Sequence, residues 1–170
     1  MSTRRELLSW QEVDSLIDHL TPQFRTDFEA MVMISRGGLV PGGILAEALG
    51  IQDLLIASVD FPFEAERERS KLLAWPKFIQ FPSDEQLAGR RVLVVDDVWG
   101  SGRTITAVKS RVASAGGNPF CCVLHFNPYR SLFSQTQPDY YAAITDAHIV
   151  YPWESRRGRD RVLLDEPQMP

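Results

Sequence analysis

Disulfide stapling is the first thing this sequence excludes. Its two cysteines, Cys121 and Cys122, are adjacent in an apolar run, and neighbouring residues cannot tie distant segments together. A pair of reduced strand residues, one of them in the core, is expected. A cationic surplus is missing too. Lysine and arginine total 18 against 22 aspartates and glutamates, a net charge of -4, which argues against a general polyanion binder and against a nucleic-acid partner. No apolar run approaches the roughly 20 residues of a membrane span, and no arginine-led apolar segment with a small-residue cleavage site opens the chain. A soluble, cytoplasmic protein without a membrane partner is expected. Internal repeats and low-complexity segments are also lacking.

What is present fits one domain of 170 residues, large enough to bury roughly two thirds of its unfolded surface. Ser9-Trp10-Gln11-Glu12 reads as a capping box, and Val13, Leu16, Ile17 and Leu20 then share one helical face until Thr21-Pro22. His19, near that helix end, reads as a surface histidine. Ala30 to Ile34 is a short β-prone run. It leads through Ser35-Arg36-Gly37-Gly38-Leu39-Val40-Pro41-Gly42-Gly43 into the helical Ile44 to Leu49. The glycines permit close backbone approach and Arg36 offers planar donors to phosphate oxygens, although such a turn standing alone is only a tight connection. Leu54 to Val59 reads as another strand. A mixed-charge run from Glu64 to Lys71, followed by Trp75, Phe78, Ile79 and Phe81 around Pro76, makes residues 61–81 either a flap or a solvated loop with hydrophobic anchors.

The stretch that organises the chain follows Arg90-Arg91. Val92 to Val95 are apolar β-formers that end in Asp96 and Asp97; after Val98 and Trp99, the small-residue turn Gly100-Ser101-Gly102 carries Arg103 and Thr104 into a helical period of Ile105, Val108, Val112 and Ala115. Backbone N–H groups of such a turn and of the helix start suit a phosphate, and the two carboxylates suit vicinal hydroxyls. A buried parallel strand with a turn is the plainer alternative. Two adjacent acids at a strand tip, however, cost stability unless something uses them. Further strands are expected at Phe120 to Leu124 and Tyr140 to Ile144, and His148 to Trp153 closes the compact part. Successive strand, helix, strand passages imply parallel pairing, with ligands at the carboxyl ends of the strands, so the Ser35 and Asp96 loops can converge. Residues 1–154 form the domain. Residues 155–170, with Arg156, Arg157, Arg159 and Arg161, form a basic tail.

These motifs resemble the type I phosphoribosyltransferases, and Ser35 to Pro41 with Ile149 to Glu154 is most similar to the small xanthine-guanine (6-oxopurine) branch. The resemblance runs from the first helix to Glu154. It implies a parallel-sheet α/β fold with a small hood or flap, and transfer of the phosphoribosyl group from phosphoribosyl pyrophosphate to a nucleobase, a purine by this branch, with release of pyrophosphate. Asp96 and Asp97 would face the ribose hydroxyls, Asp97 also lying close to a magnesium ion. Gly100, Ser101, Gly102, Arg103 and Thr104 would wrap the 5′-phosphate. Ser35, Arg36, Gly37 and Gly38 would bind pyrophosphate, with a cis peptide between Ser35 and Arg36; Asn127, His148 and Ile149 would face the nucleobase. The family is usually dimeric. This chain departs from the purine enzymes at three places: Gly100 replaces an acid, Asn127 a lysine and His148 a stacking aromatic. Those departures keep a second reading open, a non-catalytic regulator that binds phosphoribosyl pyrophosphate or a nucleotide.

Overall fold

A computed structural model describes residues 4–61 and 75–154. Most of the expected flap, including Arg67, Arg69 and Lys71, and the whole basic tail lie outside the described residues.

The elements are β1 (Arg5–Leu7), α1 (Trp10–Leu20), β2 (Ala30–Ile34), α2 (Leu39–Leu49), β3 (Leu54–Asp60), β4 (Lys77–Gln80), α3 (Asp84–Leu87), β5 (Arg91–Trp99), α4 (Arg103–Ser114), β6 (Asn118–Phe126), β7 (Tyr140–Ile144) and β8 (His148–Val150). The capping box that starts α1 forms in full: Ser9 Oγ accepts from the Glu12 N–H at 3.2 Å, and Glu12 Oε2 accepts from the Ser9 N–H at 2.7 Å. The helix then buries Val13, Ile17 and Leu20.

Six strands make the main sheet in the order β4-β3-β2-β5-β6-β7. All pairings are parallel except β3 with β4. Because successive strand residues point to opposite faces, each central strand feeds two cores. Met31, Met33, Leu93, Val95, Cys122 and Leu124 face the layer of α1 and α2, while Val32, Ile34, Val92, Val94, Cys121 and Val123 face that of α3 and α4. The adjacent cysteines therefore enter opposite cores, and both are buried rather than one.

The strands differ from the sequence reading in three ways. β5 does not end at Val95: it runs on through Trp99, so Asp96 and Asp97 lie within the strand rather than at its tip. β6 similarly spans Asn118–Phe126 rather than Phe120 to Leu124, because the β5–β6 ladder continues from Arg91 opposite Asn118 to Trp99 opposite Phe126. Backbone pairing here outlasts the apolar run. Finally, β1 and β8 form a separate two-stranded parallel sheet, joining the start of the described chain to the segment after β7.

Candidate active site

Since β2 and β5 are neighbours in parallel register, with Met33 opposite Val95, their carboxyl ends place the Ser35 loop beside the acid pair. The two are built into each other. A Cβ on Gly37 would lie 2.6 Å from the Asp97 carboxyl carbon and both its oxygens, and one on Gly38 would lie 2.2 Å from the Val95 carbonyl oxygen. Only glycine allows this approach. The Ser35–Arg36 peptide is cis, as the resemblance implied. A cavity of about 580 Å³ opens at the junction, lined by Ser35, Arg36, Gly37, Asp96, Asp97, Trp153 and Glu154.

Three carboxyl groups and the Arg36 guanidinium meet in the cavity. Burial raises the Asp96 carboxyl well above the usual range, and the adjacent Asp97 charge adds to the effect. Asp97 is pushed up to about 6, mainly by burial, with the Glu154 charge contributing. The Asp97 N–H donates to Asp96 Oδ1 at 3.0 Å. Among the described residues, the ion pairs formed do not involve Asp96, Asp97 or Glu154. Asp96 and Asp97 are half-buried carboxyls with no ion-pair partner among the described residues, and such oxygens could hold a hard divalent cation such as magnesium. No group of three or more metal-ligating side chains occurs among the described residues; magnesium in general takes one or two carboxylates and fills its shell from phosphate oxygens.

The second loop supplies an open helix start. Gly102, at φ +80°, is the N-cap of α4, and no side chain caps the helix. A Cβ on Gly102 would meet the Trp99 indole nitrogen at 2.3 Å. The N–H groups of the first turn of α4 beyond Arg103 are available to an anion, with the helix dipole behind them. Ser101 Oγ accepts the Arg103 N–H at 3.4 Å. The Arg103 guanidinium turns elsewhere and stacks 4.1 Å above the Phe61 ring. At Gly100, a Cβ would meet nothing within 4 Å.

The three residues expected to face the nucleobase are not among those lining the cavity. Asn127 is buried at the end of β6, where its Oδ1 accepts the Arg130 N–H at 3.2 Å and its Nδ2 reaches the Ala147 carbonyl at 3.5 Å. That carboxamide closes the following turn. His148 is exposed in β8, its N–H donating to the Arg4 carbonyl at 2.7 Å, and the buried Ile149 lies opposite Glu6 of β1.

Sequence reasoning missed Tyr151, Trp153, Glu154 and His125. The first three sit in the segment Ile149 to Glu154, where the resemblance gives a role to Ile149 alone. Tyr151 is buried beneath the acid pair. His125 interrupts an apolar strand, and burial lowers its imidazole to about 4, so it stays neutral at ordinary pH. That interruption was the available signal.

A phosphoribosyl transferase domain is matched over residues 4–155, and the chain belongs to that family. A xanthine-guanine phosphoribosyltransferase of Cereibacter sphaeroides is 30% identical over 144 residues, covering 78% of this chain and 77% of that protein. An adenine phosphoribosyltransferase of Pelodictyon phaeoclathratiforme is 31% identical over 106 residues, covering 62% and 59%; the match thus spans about three fifths of that relative. A crystal structure of a purine phosphoribosyltransferase from Pyrococcus horikoshii superposes with a TM-score of 0.74 at 27% identity, over 91% of this chain and 97% of that one.

Proposed function

We propose that the protein transfers the phosphoribosyl group of phosphoribosyl pyrophosphate to a purine, releasing pyrophosphate. The observation that carries this reading is the contact of the Ser35 loop with β5: Gly37 fits against the Asp97 carboxyl with no room for a side chain. That contact supports a pyrophosphate loop and a ribose-facing acid pair serving one ligand. The relatives named for adenine and for xanthine and guanine support a purine acceptor.

In this reaction a ring nitrogen of the base gives up its proton to solvent and forms the new bond to the anomeric carbon, as the bond to pyrophosphate oxygen breaks and its electron pair leaves with pyrophosphate. Asp96 and Asp97 accept hydrogen bonds from the ribose hydroxyls, and the open start of α4, with Ser101 and Thr104, fixes the 5′-phosphate. Arg36 and the backbone of Gly37 and Gly38 bind the departing pyrophosphate, whose charge grows in the transition state. Bound magnesium, held through Asp97, would supply further charge neutralisation on that leaving group. Residues 1–154 carry the chemistry and 155–170 form an appended tail. The protein works in the cytoplasm as a dimer.

The test is pyrophosphate release with magnesium, donor and a panel of adenine, guanine, xanthine and hypoxanthine. Turnover with at least one purine is expected. Binding of the donor without turnover on any base would replace this reading by that of a regulator, which draws its support from the internally bonded Asn127 carboxamide and the absence of a carboxylate at Gly100.

A further inference from the structure

Three residues of the cavity wall meet on one buried tyrosine. The Tyr151 hydroxyl donates to the backbone carbonyl of Asp97 at 2.9 Å. Its backbone N–H donates to Glu154 Oε2 at 2.7 Å. Its ring lies on that of Trp153, with centroids 4.6 Å apart and an interplanar angle of 5°. Asp97, Trp153 and Glu154 all line the cavity, whereas Tyr151 is 1% exposed and belongs to the core under α1 and α2.

The phenol is itself held. Its one hydrogen goes to the Asp97 carbonyl, so His125 Nδ1, 2.8 Å from the phenol oxygen, must be the donor in that contact. His125 is therefore the Nδ1–H tautomer, and it lies on β6 opposite Val98 of β5. A chain of directed hydrogen bonds thus runs from one strand, through Tyr151, to the acid of the next. Packing alone would be served by phenylalanine, since a buried hydroxyl costs stability unless it is bonded.

We propose that Tyr151, oriented by His125, is a positioning residue for the donor pocket, fixing Asp97, Trp153 and Glu154 as one unit and so setting the affinity for the magnesium pyrophosphate half of the donor. The proposal rests on the donor reading above.

The test uses the full chain and two readouts, calorimetric affinity for magnesium pyrophosphate and the steady-state constants of base transfer. Tyr151→Phe keeps the stack on Trp153 and removes the hydroxyl. The Kd for magnesium pyrophosphate and the KM for the donor should both rise about tenfold or more, with the KM for the base held within about twofold. His125→Leu should move the same two constants in the same direction. His125→Gln, whose carboxamide can donate to the phenol, should restore them to within about threefold of the parent. A packing role would lower melting temperature and active fraction while leaving both constants at parent values; that result for Tyr151→Phe overturns the proposal. If Tyr151→Phe does not fold, equal constants for the two His125 variants overturn it instead. Failure of the parent to bind magnesium pyrophosphate or to turn over would remove the donor reading and this proposal with it, whereas a functional parent with unmoved variants removes the positioning role alone.

Discussion

At the residue scale, two glycines of the site differ in what a side chain would meet. Gly37 has the Asp97 carboxyl against it, while Gly100 faces open space. Gly100→Asp should therefore fold normally, with a melting temperature within about 2 °C of the parent. It also places a carboxyl where the resembling 6-oxopurine enzymes carry one. Pyrophosphate release with guanine should rise roughly ten- to a hundredfold, part of the range that a positioned acid or base supplies; an unchanged rate would put the base elsewhere in the cavity. His125 gives a second prediction, in stability. Its folded pKa is depressed to about 4, below the ordinary 6.5. Between those values the unfolded chain binds the extra proton, so the contribution of neutral His125 is intact above pH 6.5 and is lost as pH falls towards 4. The loss amounts to up to about 3 kcal/mol. Asp97, raised to about 6, acts in the opposite sense in part of this window, but it is common to both proteins. Denaturant melts from pH 7 to 4 should show His125→Gln losing less stability than the parent, and parallel profiles would contradict the assignment.

At the scale of elements, α1 rests on its capping box as well as its buried face. Ser9→Ala removes the acceptor of the Glu12 N–H and should lower the melting temperature by about 2–4 °C, read by thermal circular dichroism. This helix was legible in sequence because cap and apolar period are local, and the same holds for β2 with its glycine loop and for the start of α4. β1 and β8 were not. Each is three residues long, too short to show a period, and their pairing joins segments far apart in the chain. The ends of β5 and β6 escaped for another reason: Asp96, Asp97 and His125 break the apolar pattern while the ladder continues through them. The donor side of the site was readable as glycines and acids at a loop. The Tyr151 contact with Asp97 was not, because it links residues 54 apart through one hydroxyl and depends on the finished fold. The positions assigned to the base rest on the resemblance alone, and a resemblance in sequence does not show that the Asn127 carboxamide is engaged by Arg130 and Ala147.

At the scale of the whole molecule, the fold brings Asp97 and Glu154 to one cavity with Arg36, so carboxylate charge, offset in part by one guanidinium, stands where the donor's own negative charge must enter. Pyrophosphate alone approaches against that field, whereas the magnesium complex neutralises it. Magnesium pyrophosphate at a hundred times its Kd should stabilise the fold by about 2.7 kcal/mol, a rise of roughly 5–11 °C in melting temperature for a chain of this size. Metal-free pyrophosphate should give a much smaller shift. Protons compete for the same carboxylate. With its folded pKa near 6, Asp97 is protonated in the native state at pH 5 and ionised at pH 7.5, so the magnesium-dependent part of the shift should grow across that interval. Pyrophosphate titrates as well, and the variant that separates the two effects is Asp97→Asn, which keeps the ligand's titration and removes the protein's. Differential scanning fluorimetry of both proteins at pH 5 and 7.5, with and without magnesium, should show the metal-dependent increment rising with pH in the parent and small at both values in Asp97→Asn. An equal increment in the variant would mean that the metal is held by phosphate oxygens alone, with Asp97 serving only the ribose hydroxyls.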